Sequence, residues 1–93
     1  MHINESVLIL IMGSHCVECG KKPCNASPII PFDQNGPHQY FNLIPLCVKH
    51  CHEHVRLGTI AMADKYSNIK LMIENKGWTF GNKLTHRDIK GEN

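Results

Sequence analysis

Ninety-three residues, 42% of them apolar and 19% charged, describe one globular unit too small to bury a large core and too apolar to be disordered. A net charge of +2, with histidine counted neutral, is too slight to argue for nucleic acid by electrostatics alone and does not argue against it. Five cysteines, four of them in two close clusters, do not resemble an evenly spread disulfide framework, and point to metal-bound thiolates in a reducing, cytoplasmic setting.

Val7 to Met12 is a continuous apolar run that ends at Gly13 and predicts an N-terminal strand. It has no basic flank and is too short for a signal-peptide core or a membrane span, so no membrane partner is expected. Cys16-Val-Glu-Cys19-Gly20 has the form of a zinc knuckle, a turn whose backbone amides point at the thiolates and whose glycine takes a left-handed conformation. Pro23 to Pro37 predicts an irregular loop with a short strand near Ile29 to Phe32. Cys24 in this loop is a spare cysteine. Tyr40 to Ile44 predicts a second strand, stopped by Pro45.

Cys47 to Leu57 predicts a helix with Cys47, His50 or Cys51, and His54 on one face, and Gly58 as its C-terminal stop. Thr59 to Lys76 predicts a second helix, with Met62, Tyr66, Ile69 and Ile73 as a core-facing stripe and Gly77 as its end. Trp78 to Phe80 reads as a small strand or a pair of docked rings. The domain is expected over 1–80, and 81–93 is expected as a polar tail.

Two pairs of soft ligands about thirty residues apart describe a four-coordinate site for structural Zn2+. Cys16, Cys19 and Cys47 supply three ligands. The fourth is His50 or Cys51, and three-residue spacing at a helix start favours His50. His50, Glu53 and His54 also fit the His-x-x-Glu-His pattern of some metalloproteases. That pattern competes with the paired site for His50 and lacks a third ligand, so it is set aside.

The order Cys16-x-x-Cys19-Gly20, Ala26-Ser-Pro-Ile29, Asn42-Leu-Ile-Pro-Leu-Cys47-x-x-His50 and Gly58 resembles the zinc-containing HNH endonucleases, in their small phage-type branch. The similarity runs from Cys16 to Gly58, nearly half the chain. It implies an α+β fold, a treble-clef or ββα (HNH-like) domain stabilised by zinc, with the N-terminal strand and the second, C-terminal helix added. It also implies a divalent ion such as Mg2+ in a separate catalytic site, because a zinc with four protein ligands neither activates water nor grips a phosphate. By the same resemblance, Asn42 orients the general base and His54 helps to hold the catalytic ion. The family's His-His-Ile segment falls on Ser27-Pro28-Ile29, so the general-base histidine is missing; His38 and His52 are the remaining stand-ins.

Three functions follow. The first is an HNH-like module that engages DNA or a protein of DNA metabolism, with nuclease activity weak or lost and with Lys21, Lys22, Lys49 and Arg56 near phosphates. The second is an active metal-dependent endonuclease using another histidine. The third is a small phage-encoded protein-interaction module that regulates a host enzyme. Oligomeric state is left open.

Overall fold

The computed structural model describes residues 14–22 and 25–88. The predicted strand over 7–12 and Cys24 lie outside them. Within the described residues, β1 (Asn25–Pro28) pairs antiparallel with β2 (Leu43–Leu46), and α1 (Val48–Leu57), α2 (Thr59–Lys65) and α3 (Ser67–Asn75) follow. A second two-stranded sheet joins β3 (Trp78–Thr79) to β4 (Thr85–His86). Over the described residues the fold is a small α+β arrangement of three helices and two small antiparallel sheets.

Both predicted strands shift. The first forms at Asn25–Pro28 rather than near Ile29 to Phe32, where a short 3-10 turn (Phe32–Gln34) stands instead. The second begins at Leu43, after a 3-10 turn over Tyr40–Asn42, and runs through Pro45. Pro45 is tolerated because, among the described residues, β2 pairs with β1 alone and has a free edge. Its carbonyl faces away from β1 and accepts the Val17 N–H at 3.0 Å, so a donor on the same side of the strand is not required. That bond also fastens the knuckle to β2. All four residues of β2 are buried.

The helix predicted over Thr59 to Lys76 is two helices, parted at Tyr66 (φ −125°, ψ 109°). Hydrogen bonds of helical type persist on both sides: Tyr66 N–H donates to Met62 O at 2.9 Å, and Lys70 N–H to Tyr66 O at 3.1 Å. The apolar stripe therefore survives the break. Met62, Ile69 and Ile73 are fully buried and meet Ile29, Ile44, Leu46 and Trp78 in one core that also holds Cys16 and Cys47. Tyr66 itself is half-buried, turned toward α1 by a bond from its hydroxyl to Glu53 Oε1 at 2.7 Å. Gly58 serves two helices at once. Its N–H caps α1 on His54 O and its carbonyl accepts the first bond of α2 from Met62, with φ at +87°, where a side chain would be strained.

Residues 81–88 are not a free polar tail. His86, opposite Trp78 in the second sheet, is buried and stacks on Phe41 with centroids 3.8 Å apart. Its Nε2–H donates to Lys76 O at 2.6 Å, while Nδ1 accepts the Asp88 N–H. Trp78 Nε1–H donates to Phe41 O at 2.7 Å, so the sheet is latched to the segment that leads into β2.

Candidate metal centre

The knuckle forms as the sequence predicts. Gly20 N–H donates to Cys16 O at 2.9 Å and Cys16 N–H to Lys21 O at 3.0 Å, with Gly20 at φ +76°. This tight turn aims Cys16 and Cys19 the same way. Opposite it, Cys47 is the N-cap of α1 and His50 lies in its first turn, three residues on. The Val17–Pro45 bond brings the two halves together.

The result is a cluster of Cys16, Cys19, Cys47 and His50 whose ligand atoms all lie within 4.8 Å of one another. Cys19 Sγ is 3.6 Å from Cys47 Sγ; His50 Nδ1 is 3.6 Å from Cys16 Sγ and 3.3 Å from Cys47 Sγ. A tetrahedral ion with bonds of about 2.3 Å to sulfur and about 2.0 Å to nitrogen has edges of about 3.6 to 3.8 Å. Two of the spacings, at 3.6 Å, lie at such an edge; the third, 3.3 Å, is a little shorter, and all six stay within 4.8 Å. A Cys3His set of this kind fits a closed structural metal site and is consistent with zinc.

The polypeptide also prepares a thiolate. Burial opposes ionisation of Cys16, yet hydrogen bonds from the backbone of Cys47, Cys19 and Glu18 outweigh it and bring its pKa from 9.0 to about 6. Cys19 moves the other way. A backbone hydrogen bond at Lys21 lowers it, but partial desolvation and the neighbouring Cys47 and Cys16 sulfurs together raise it above 9.0. Cys16, Cys19 and Cys47 would hold a cation as thiolates, and its charge would offset their mutual repulsion.

Between the two possible fourth ligands, the fold brings in His50. Cys51 points elsewhere, its Sγ 3.9 Å from Ser27 Oγ and outside the cluster. The His-x-x-Glu-His pattern is likewise divided: His50 faces the thiols, Glu53 is held by Lys65 and Tyr66, and His54 belongs to a different network.

That network is a row of hydrogen bonds through the core. Thr59 Oγ1–H donates to Ile29 O at 2.5 Å, which leaves Thr59 to accept from His54 Nε2–H at 2.7 Å. His54 Nδ1 then accepts the Ser27 hydroxyl at 2.6 Å, and Ser27 Oγ accepts the Cys51 thiol. The single hydroxyl proton of Thr59 thus sets the tautomer of a neutral imidazole. Burial lowers the His54 pKa below its ordinary value, in keeping with the neutral form. Ser27 and His54 edge a cavity of 610 Å3 between β1 and the α1–α2 junction.

Asn42, fully buried, is equally committed. Its Oδ1 accepts the Ile30 N–H at 2.8 Å, and its Nδ2 donates to Ile30 O and Pro37 O at 3.0 Å each. Its amide shapes the loop between the two strands. His38, the first stand-in base, packs on the Phe32 ring with centroids 4.3 Å apart. His52, the second, is exposed on α1.

Sequence reasoning missed the partners of His54, because Ser27 and Thr59 carry no motif and meet it only through the fold. It missed His86 for the same reason. Among the described residues, no helix is long and apolar enough to cross a membrane. Comparison with known protein families, curated proteins and solved structures finds no match for this chain.

Proposed function

We propose that the chain is a zinc-stabilised HNH-like module that engages DNA, or a protein of DNA metabolism, with nuclease activity weak or lost. The Cys3His cluster carries the zinc part of this reading: its four ligand atoms lie within 4.8 Å of one another, and an ion held by all four would keep no position for water or substrate. The ion's work is structural.

Support for lost chemistry comes from the residues that the HNH resemblance assigns to catalysis. Ser27 stands where the general-base histidine is expected, and it is buried and bonded to His54. Both ring nitrogens of His54 have hydroxyl partners, so neither is free to ligate a second ion. The Asn42 amide is bonded to backbone rather than to a histidine. Loss of a general base lowers a hydrolytic rate by about 100- to 10,000-fold.

The test is metal analysis joined to DNA assays on protein purified without added metal. One zinc per chain, duplex binding that weakens steeply with salt, and no plasmid cleavage with Mg2+ or Mn2+ are the expected results. Robust cleavage with either ion would restore the endonuclease reading. Co-purification of a stoichiometric protein with no DNA binding would favour the regulator instead.

A further inference from the structure

Along α1, Lys49, Glu53 and Arg56 are spaced four and three residues apart, a pattern that on an isolated helix would neutralise itself through i,i+4 and i,i+3 pairs. The fold prevents this. Glu53 turns toward the α2–α3 junction, where Lys65 Nζ holds Oε2 and the Tyr66 hydroxyl holds Oε1. Lys65 is the first cause of a lowered Glu53 pKa, and Glu53 in turn raises Lys65. Both carboxylate oxygens are occupied and the side chain is only 10% exposed. Among the described residues, Lys49 and Arg56 take part in no ion pair.

These residues line one cleft. Lys49, His52, Glu53 and Arg56 form one wall, Lys65 and Tyr66 the other, around 410 Å3. Three cations against one carboxylate give the cleft a formal charge of +2, equal to that of the whole chain. With Lys65 and Glu53 paired, that +2 is carried by Lys49 and Arg56, both exposed on α1. Lys49 and Arg56 are separated by about 10 Å along the helix axis, which suits an extended polyanion better than one small ion.

We propose that this cleft is the docking site for the phosphodiester backbone of duplex DNA, with Lys49 and Arg56 meeting phosphates and Lys65 adding charge from the far wall. The assignment rests on the DNA reading above. It adds a metal dependence, because the metal-ligand candidate His50 sets its ring edge-on to Tyr66, with centroids 5.3 Å apart, and Tyr66 positions Glu53.

Fluorescence anisotropy with a labelled 20-base-pair duplex, read over a salt series, tests it. Lys49→Ala combined with Arg56→Ala is expected to weaken binding about tenfold or more at low salt, and to reduce the slope of log K against log salt by about 1.8. Lys70→Ala combined with Lys83→Ala, equal in charge but outside the cleft, is expected to keep most of the affinity. Both exposed pairs should leave metal content and the melting curve unchanged. Wild-type binding that survives Lys49→Ala/Arg56→Ala undiminished, or falls equally in the control pair, overturns the cleft and leaves the DNA reading standing. A wild-type chain with no affinity for the duplex at low salt overturns both.

Discussion

Ser27 and His54 meet at 2.6 Å across 27 residues of sequence, the strand residue donating its hydroxyl proton to Nδ1 of the helix residue. With Thr59 holding the opposite nitrogen, the imidazole is a crosslink between β1, α1 and the first turn of α2. Removing it leaves two buried hydroxyls short of a partner. His54→Ala should therefore lower stability by about 2–4 kcal/mol, combining lost packing with unsatisfied groups. Urea unfolding at neutral pH measures this, and a midpoint equal to wild type would contradict it.

The same residue predicts a pH response. Burial holds the folded His54 pKa below the ordinary 6.5, so at mildly acidic pH the unfolded chain takes up a proton that the folded chain refuses. This contribution is fully present above about pH 7. It is lost as pH falls from 6.5 toward the lowered folded value, at up to about 1.4 kcal/mol per pH unit. Thiolate protonation adds its own acid sensitivity, so the measurement is the difference between the stability profiles of wild type and His54→Gln. The variant should lack the His54 component.

At the candidate metal centre, Cys47→Ser and His50→Ala should each reduce bound metal, whereas Cys51→Ser should retain wild-type stoichiometry because its sulfur faces Ser27. Elemental analysis of the purified variants separates the two outcomes. Complete chelation should abolish cooperative melting, since structural zinc in small domains supplies about 10 kcal/mol or more of binding free energy to folding.

Asn42→Ala deletes three hydrogen bonds from a fully buried position and strands an N–H and two carbonyls of the 30–37 loop. A loss of about 3 kcal/mol is expected. Asn42→Asp should fare no better, because a carboxylate cannot donate to Ile30 O and Pro37 O. Denaturant titration of both variants provides the check.

Ending the chain at Phe80 should cost about 2–4 kcal/mol, as it uncovers Trp78 and Phe41 by removing the His86 ring between them. A truncated chain with an unchanged melting temperature would show that 81–93 is the tail its composition suggests.

The legible parts of this fold are those whose physics is local. Cys16-x-x-Cys19-Gly20 encodes its own turn, Cys47-x-x-His50 places two ligands at one helix start, and Met62, Ile69 and Ile73 keep helical spacing even across a break. Where distant partners decide, local signals mislead. Asn25–Pro28 has little strand propensity, and forms because Leu43–Leu46 pairs with it. Pro45 stops nothing, because among the described residues its strand pairs with β1 alone and its carbonyl faces away from that partner. Tyr66 reads as one more residue of a continuous stripe, but it is bonded to Glu53 thirteen positions earlier.

Trp78 is the single tryptophan of the chain, sealed into the same core as Cys16 and Cys47 with its indole N–H on a main-chain carbonyl. The molecule thereby carries its own optical gauge. Emission from that one ring reports on the core that adjoins the Cys3His cluster, with no label attached, and a red shift on chelation would mark the moment water reaches the interior.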